Sequence, residues 1–383
     1  MTSHWLSADE AMRRLGVRSQ TLYAYVSRGR IAAQPDPSEP RRSRYRASDV
    51  DALTTRKARG RKAAAVAADA IAWGEPVLDS AITAVIDGRL FYRGHDAVGL
   101  ARTETLESAA RLLRGGAGAP APRPMRYVSP ADGTPRTRLF AALAARAAVD
   151  FPAVGRASDD LASEAATLLD VVADAVTGGA WTGPIHARLG HAWGCGATGM
   201  DLLRRALVLL ADHELNASTF AARVAASTGA ALAASALAGL SALSGPRHGG
   251  VFIRVRRWAD EAGRAGVDEA VAARRAHRLS APGFGHPLYP EGDPRARALT
   301  DAFVVPPPLQ ALRAAVEASG GEPENIDFAL VALAQTLNLP DDAPFALFAV
   351  ARCAGWLAHA IEQIETGALI RPRARYVGPA PTG

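Results

Sequence analysis

Apolar residues recur at helical spacing along most of this 383-residue chain. Residues 138–244 follow the pattern almost throughout, and residues 100–113 follow it as well. Short β-like runs surround Asp87-Gly88, a dipeptide typical of a tight hairpin turn. Residues 115–124 are rich in Gly and Pro and are predicted to form a loop. The pattern therefore predicts a mainly α-helical protein with an early pair of strands.

One apolar stretch needs a separate interpretation because it could be mistaken for a membrane span. Residues 224–244 contain no charged side chain over 21 positions. A span needs about 20 predominantly apolar residues, and this stretch consists mostly of Ala, Gly, Ser and Thr with few Leu. We interpret it as a buried core helix or as a helix at a dimer interface.

The composition supports a helical protein of two or three domains. Hydrophobic residues make up 49% of the chain and aromatic residues only 6%, because Ala supplies much of the apolar content. The two cysteines, Cys195 and Cys353, form no C-x-x-C pair, which argues against a disulfide framework or a zinc site. The first ten residues lack a signal-peptide pattern. We expect a cytoplasmic protein.

Positive charge is concentrated at the amino terminus. Residues 1–62 hold 14 Lys and Arg against 6 Asp and Glu, whereas the rest of the chain holds 30 against 32. A basic module is therefore joined to a nearly neutral body. Residues 56–70 begin basic and become rich in Ala, so we predict a linker at residues 63–75.

The basic module has the pattern of a helix–turn–helix. Ser7 can cap a helix that runs to about Leu15, residues 16–17 can make the turn, and Ser19 can cap a second helix over Gln20–Ser27 that ends at Gly29. The second helix suits a major groove of DNA. The candidates that would face the groove are Arg18, Gln20, Thr21, Tyr23 and Tyr25.

A predicted wing follows the second helix. Residues 31–33 and 41–46 can form two strands around a Pro-rich tip, and Ser48 can cap a third short helix through Leu53. The second strand offers Arg42, Arg44 and Arg46 to phosphates. Residues 1–62 resemble the winged-helix domains of the MerR and excisionase type, which implies DNA binding. The alternative is a basic domain that packs on another protein.

The segment Gly283–Arg297 carries the clearest chemical pattern. It places His286 and Arg295 nine positions apart in a stretch too rich in Gly and Pro to be the middle of a helix. An imidazole can donate a hydrogen bond to a carbonyl oxygen, and a guanidinium can bind a carboxylate with two hydrogen bonds. This pair suits a substrate that is both a carbonyl compound and a dicarboxylate. Segments of similar character lie at 245–250 and 324–328.

These segments resemble the citrate synthase family. The chain has Gly-Pro-x-His-Gly-Gly around His248, Gly-Phe-Gly-His…Asp-Pro-Arg around His286, and Asn-x-Asp-Phe around Asp327, in the family order. The separations, 38 and 41 residues, are also similar to those of the family. Further segments that resemble the family lie at residues 87–95, 212–219, 348–356 and 369–373. The resemblance extends from Pro76 to Val377.

The resemblance implies a two-lobed, mostly helical fold. The large lobe would comprise residues 76–249 and 342–383, and the small lobe residues 250–341. It also implies a homodimer with shared active sites, which condenses acetyl-CoA or propionyl-CoA with oxaloacetate to citrate or 2-methylcitrate. Neither a metal nor a tightly bound cofactor is expected.

The family roles fall on residues of suitable chemistry. Asp327 would be the base that removes a proton next to the thioester, His248 would donate to the enolate oxygen, and His286 would polarise the oxo-acid carbonyl. The oxaloacetate carboxylates would be bound by His213, Arg295, Arg352 and Arg371. His213 would lie near Asn216 on one helix face. Taken alone, Asp327 could instead cap a helix that starts at Phe328.

The chain departs from the family on the side that holds CoA. Pro287 replaces an Arg that usually meets a CoA phosphate, Val251-Phe252 replaces Ala-Asn, and the apolar run 329–331 replaces small polar residues. The candidates for the phosphate contact are Arg254, Arg256, Arg257 and Arg297. A second hypothesis is therefore a transcription regulator whose synthase-like body senses a dicarboxylate or an acyl-CoA.

Overall fold

The computed structural model describes residues 5–27, 30–37, 39–40, 42–51, 53–54, 78–116, 133–179 and 181–380. Its contacts divide the chain into an amino-terminal unit, Met1–Asp79, and a carboxy-terminal unit, Ser80–Gly383. The predicted linker at 63–75, Gly29 and most of the predicted loop at 115–124 lie outside the described residues.

The amino-terminal unit combines short helices with a small antiparallel sheet. The helices are α1 (Ala8–Leu15), α2 (Ser19–Ser27) and α3, which covers residues 47–51 and 53–54. The strands are β1 (Trp5–Leu6), β2 (Ala33–Pro35) and β3 (Ser43–Arg46), in the order β1-β3-β2. The wing is thus a three-stranded sheet, because Trp5 pairs with Arg46 while Ala33 pairs with Tyr45.

The predicted caps of this unit hold in part. Ser7 caps α1 in a reciprocal capping box with Glu10, as its sequence position predicts. The caps assigned to Ser19 and Ser48 are wrong, because both residues already lie inside their helices. Strand β1 was not predicted, since two residues are too few to show an alternating pattern.

The carboxy-terminal unit begins with a small sheet and two short helices. Strands β4 (Thr83–Ile86), β5 (Arg89–Tyr92) and β6 (His95–Asp96) are antiparallel neighbours. Asp87 and Gly88 form the predicted turn with φ of 50° and 70°. The single helix predicted at 100–113 is in fact two, α4 (Ala97–Thr103) and α5 (Leu106–Leu113), because Thr105 caps a new helix.

Helices form almost all of the remainder of this unit. The next six are α6 (Pro135–Val149), α7 (Ser158–Thr177), α8 (Ile185–Ala192), α9 (Ala197–Leu210), α10 (Ala217–Ser227) and α11 (Leu232–Leu243). The following five are α12 (Val251–Ala265), α13 (Val267–Ala276), α14 (Pro294–Thr300), α15 (Pro307–Ala318) and α16 (Ile326–Thr336). The last is α17 (Ala343–Thr366). The predicted mainly α-helical fold is thereby confirmed.

Helix α17 is the central core element of this unit. It packs against α7, α9, α10 and α11. Within the described residues it is the one helix long and apolar enough to cross a membrane, and its apolar window is entirely buried inside the protein, as in a core helix. The uncharged stretch 224–244 is not one helix: α10 and α11 share it around a break at residues 228–231.

Candidate active site

His248 lies in a tight turn between α11 and α12. Its backbone N–H donates to the Gly245 carbonyl over 3.0 Å, and a Cβ at Gly249 would lie 2.7 Å from the side chain of Leu243. Glycine is therefore required for the turn to close against α11. The imidazole Nε2 lies 2.8 Å from Ser218 Oγ, which also accepts a hydrogen bond from the Trp356 indole N–H over 3.1 Å.

The two segments that carry His286 and Asp327 are joined by backbone hydrogen bonds. Gly285 N–H donates to the Pro323 carbonyl and Asn325 N–H to the Gly283 carbonyl, each over 2.8 Å. The Asn325 side chain also donates to the Gly285 carbonyl over 2.9 Å. These bonds fix the base candidate relative to the imidazole that would polarise a carbonyl.

Asp327 is not a helix cap. Helix α16 begins at Ile326, and the side chain of Asn325 caps it by accepting from the Asp327 N–H over 3.0 Å. The Asp327 carboxylate therefore does not cap this helix. Burial raises the pKa of Asp327 to about 7, and Asp293 acts in the same direction, although Arg295 and Arg352 oppose the change.

Arg295 is held by a buried carboxylate. Asp293 caps α14 and binds the Arg295 guanidinium at two points, 2.9 Å and 2.7 Å, and it also accepts from the Ile326 N–H over 3.1 Å. Arg295 is 2% exposed. Asp293 therefore joins α14 to the start of α16, which brings Arg295 within electrostatic range of Asp327.

Arg352 approaches the same region from α17. It is 1% exposed, its Nε donates to the Leu210 carbonyl over 2.9 Å, and its guanidinium lies 4.8 Å from the centre of the Phe348 ring. Its buried Nη2 has no hydrogen-bond partner among the described residues. Burial, together with the nearby Arg295, lowers the pKa of Arg352 to about 10, although Asp212 opposes the change. The site therefore presents a buried donor without an acceptor.

His213 lies in the loop between α9 and α10, not on a helix face with Asn216 as predicted. Asn216 is the cap of α10, and its side-chain oxygen accepts from the N–H groups of Ser218 and Thr219. The His213 imidazole is 6% exposed, and its ring centre lies 5.1 Å from that of His286 in a T-shaped arrangement.

Sequence reasoning missed Tyr289. Its hydroxyl lies 2.8 Å from His213 Nε2, and its ring lies 5.4 Å from the Arg295 guanidinium. The available signal was that it is the one aromatic residue between His286 and Arg295 in the sequence.

The three histidines are neutral hydrogen-bonding groups at neutral pH. Burial lowers the pKa of His248 and of His286 to about 4 and that of His213 well below its ordinary value, and nearby arginines act in the same direction. The backbone N–H of Leu288 donates to His286 Nδ1 over 3.2 Å. The neutral His286 ring therefore carries its proton on Nε2, where it can act as a donor.

A buried polar network lies directly behind His213. His359 Nε2 lies 3.2 Å from the carboxylate of Asp212, and Arg223 bonds Glu362 over 2.7 Å and Gln363 over 2.9 Å. Glu362 also accepts from the Ala81 N–H over 2.8 Å, and Gln363 donates to the Ala368 carbonyl over 2.9 Å. The network joins both ends of the carboxy-terminal unit to the loop of His213.

The predicted residues do not all converge. Arg371 is exposed on the segment that follows α17 and forms no ion pair with other described residues. The CoA candidates Arg254, Arg257 and Arg297 are also exposed, and Arg256 pairs with Asp341 over 2.7 Å.

The residues that depart from the family pattern differ in burial. Pro287 is exposed, whereas Phe252 and residues 329–331 are buried in the hydrophobic core. Among the residues that the structure describes, no group of His, Cys, Asp and Glu is arranged as a metal site.

The groove-facing candidates of the amino-terminal unit have mixed environments. Arg18, Gln20, Thr21 and Tyr23 are exposed, whereas Tyr25 packs against the core of the unit.

The wing arginines have partners within the wing. Arg42 pairs with Glu39 and Arg44 with Asp36, each over 2.7 Å. The Arg46 guanidinium lies 5.7 Å from the centre of the Trp5 ring. The wing therefore carries less uncompensated positive charge than its sequence indicates.

One known family matches the larger part of the chain. Residues 130–373 match the family described as "Citrate synthase, C-terminal domain". The chain belongs to the citrate synthase family. Residues 5–58 match a family described as "Helix-turn-helix domain".

Individual relatives agree with this placement. The chain is 36% identical to "Citrate synthase 2" of Bacillus subtilis over an alignment of 191 residues, which covers 47% of this chain and 51% of the relative. It is 33% identical to "2-methylcitrate synthase 1" of Corynebacterium glutamicum, over 45% of this chain and 49% of the relative. The chain thus spans about half the length of the curated relatives it matches.

A solved citrate synthase shares the fold over a longer range. The citrate synthase of Thermotoga maritima superposes with a TM-score of 0.67 at 28% identity, over 81% of this chain and 96% of that structure.

Proposed function

We propose that the carboxy-terminal unit condenses an acyl-CoA with oxaloacetate and releases CoA. The observation that carries the proposal is the convergence of Asp327, whose pKa is raised to about 7, with two buried guanidiniums, Arg295 and Arg352. A carboxylate in such surroundings suits removal of a proton at neutral pH. The neighbouring cations suit a dicarboxylate.

Oxaloacetate would be bound on the side of Arg295, Arg352 and His213. Arg352 Nη2 supports this assignment, because it is a buried donor with no acceptor among the described residues and an incoming carboxylate would stabilise it. We assign Arg371 to the active site of a second subunit of a homodimer, because its exposure leaves it accessible to a partner.

Condensation begins at the thioester. Asp327 would remove a proton from the α-carbon, and His248 would donate a hydrogen bond to the developing enolate oxygen. If the neutral His248 donates from Nδ1, its Nε2 is an acceptor and can receive a hydrogen bond from Ser218 Oγ, which lies 2.8 Å away. Ser218 Oγ also lies 2.7 Å from Asn216 Oδ1, so its single proton is directed to one of the two acceptors.

The carbon–carbon bond would form at the oxo-acid carbonyl. The Nε2–H of His286 polarises the carbonyl oxygen while the α-carbon of the enolate attacks the carbonyl carbon. The oxygen takes up one proton, which balances the α-proton that Asp327 removes, and becomes the hydroxyl of the product. Water then cleaves the thioester C–S bond, which gives a carboxylate and the CoA thiol.

The acyl group would be acetyl or propionyl, since named relatives include both citrate and 2-methylcitrate synthases. The test is CoA release by purified protein with oxaloacetate and either acyl-CoA, with His286→Gln as the control variant. We expect release with at least one acyl-CoA and none without oxaloacetate. Release that does not depend on oxaloacetate, or none with either acyl-CoA, would contradict the proposal.

We also infer that the amino-terminal unit binds DNA. The observation that favours this second function is the exposure of Arg18, Gln20 and Tyr23 at the start of α2. DNA binding is the first requirement of a transcription regulator whose synthase-like body senses a dicarboxylate or an acyl-CoA. We expect fluorescence anisotropy with the protein's own promoter to show affinity that falls steeply with salt, and deletion of residues 1–62 to abolish it. Full affinity after the deletion would exclude this unit as the DNA-binding part.

A further inference from the structure

Tyr289 contacts three residues of the candidate site. It is 2% exposed, its hydroxyl lies 2.8 Å from His213 Nε2, and its ring lies 5.4 Å from the Arg295 guanidinium and 5.0 Å from the centre of the His286 ring. These neighbours are the residues that we assign to oxaloacetate. The tyrosine is therefore placed where it can control how they meet the substrate.

The hydrogen bond between Tyr289 and His213 has two possible directions. Burial raises the pKa of Tyr289 to about 12, so its hydroxyl keeps its proton, and burial lowers the pKa of His213 well below its ordinary value, so the ring is neutral. A neutral imidazole has one N–H group and one acceptor nitrogen. Either Tyr289 donates to Nε2, or Nε2–H donates to the tyrosine oxygen.

The count of satisfied groups favours donation by Tyr289. In that direction the hydroxyl proton and the Nε2 lone pair satisfy each other, and His213 carries its proton on Nδ1. In either direction Nδ1 of His213 has no partner among the described residues, but in the opposite direction the buried Tyr289 hydroxyl proton has no acceptor among them either. Buried polar groups without partners are costly, so the first direction is favoured.

We propose that Tyr289 is a positioning residue that holds His213 in the Nδ1–H tautomer, so that this nitrogen donates a hydrogen bond to the oxo-acid between Arg295 and Arg352. The assignment of the ligand rests on the proposed function. In the other tautomer, Nδ1 would present a lone pair to an anion and repel it. The hydroxyl of Tyr289 thus acts on the substrate through His213.

The tautomer can be measured without any turnover. Full-length protein labelled with ¹⁵N in its histidine rings gives nitrogen–proton correlations that distinguish the two tautomers, and His213→Gln identifies the signal of His213. We expect Nδ1–H in the ligand-free protein and a mixture of tautomers in Tyr289→Phe. Nε2–H in the unmodified protein, or an unchanged tautomer in the variant, would overturn the proposal.

Kinetics separate this role from a merely structural one. Because a hydrogen bond to a charged group is lost, we expect Tyr289→Phe to raise the KM for oxaloacetate about 10- to 100-fold, to lower kcat less, and to leave the KM for acyl-CoA unchanged. Equal changes in both KM values would overturn the proposal.

A matched control tests the loss of a buried hydroxyl in general. Tyr92 is also buried, and among the described residues its hydroxyl bonds only backbone groups, those of Val208, Leu209 and Asp212. We expect Tyr92→Phe to lower stability and to leave the His213 tautomer as it is. The same tautomer shift in both variants would contradict a specific role for Tyr289. If no acyl-CoA is a substrate, the tautomer measurement still decides this proposal, and the proposed condensation alone fails.

Discussion

The two sides of the proposed site differ in how their residues are held. The oxo-acid side consists of His213, His286, Arg295 and Arg352. The CoA side consists of Arg254, Arg256, Arg257 and Arg297. On the oxo-acid side the arginines are buried and fixed by Asp293 or by a backbone carbonyl. On the CoA side three of the four arginines are exposed, and the fourth pairs with an exposed Asp341.

This difference in burial indicates which side of the site is selective for one kind of ligand. A buried cation that is not fully paired is costly unless an anion pairs with it, so the proposed oxo-acid side favours a carboxylate. Exposed arginines remain hydrated and can contact many anions weakly. We therefore expect substitutions on the oxo-acid side, and at the base next to it, to have much larger effects than those on the CoA side.

The largest effect is expected at the base. Asp327→Asn should lower condensation by at least the roughly 10²–10⁴-fold typical of a general base, because an amide cannot accept the α-proton. Oxaloacetate binding, measured by calorimetry, should change little. Near-normal CoA release by the variant would remove Asp327 from the mechanism.

Stability provides the control for this variant. The pKa of Asp327 is raised in the folded state, so the folded protein holds the proton more tightly than the unfolded chain, and stability falls as pH rises toward about 7. Asp327→Asn should therefore gain more stability relative to the unmodified protein at pH ~8 than at pH ~5, as measured by thermal unfolding. If Asp327→Asn is less stable than the unmodified protein at pH ~8, the substitution has caused a structural defect.

The second prediction tests whether the oxo-acid side is completed by a partner subunit. Arg371→Ala and Asp327→Asn should each be inactive, yet mixed dimers should regain one complete site of the two. Random exchange should then restore about a quarter of the normal activity. The measurement is CoA release after subunit exchange verified by mass. A monomeric protein, or no recovery after exchange, would contradict the shared site.

The third prediction concerns pH. Because Asp327 must be ionised to act as a base, kcat/KM should rise about tenfold per pH unit below the pKa of about 7 and level off above it. The three histidines stay neutral through this range and should add no second inflection. A flat profile between pH ~5.5 and ~7.5 would show that another step or another base limits the rate.

The smallest effects are expected on the CoA side. Alanine at any one of the four arginines should raise the KM for acyl-CoA by less than about tenfold, with the effect weakening at high salt, because solvent screens exposed charges. Arg264→Ala, at an exposed arginine on the same helix as Arg254, is the matched control and should have no effect. An increase in this KM above about 100-fold at one position would identify a dominant phosphate contact and would contradict the contrast between the two sides of the site.

Sequence patterns predicted those parts of the site that are local. His286 and Asp327 stand in segments whose Gly, Pro and Asn residues are themselves diagnostic, and the helical class follows from apolar spacing. The contact of His213 with Tyr289 joins residues 76 positions apart, and the pair of Asp212 and His359 joins residues 147 apart. No local pattern encodes such contacts.

Other features escaped prediction for different physical reasons. The break between α4 and α5 depends on one capping threonine within a continuous apolar pattern. The wing arginines carry a clear charge signal, yet the neighbouring carboxylates that bind two of them reduce it. The lobe boundaries and the roles of the site residues stay predictions.

The network behind His213 has a consequence for chain topology. Glu362 and Gln363, neighbours at the end of α17, bind Ala81 at the start of the carboxy-terminal unit and Ala368 at the start of its final segment. Ala81 and Ala368 are therefore neighbours at the end of α17, which is the arrangement that circular permutation requires. The segment that carries Arg371 begins next to Ala368. A permuted chain that joins residue 368 to residue 81 would retain the helices between them and lose the segment that carries Arg371.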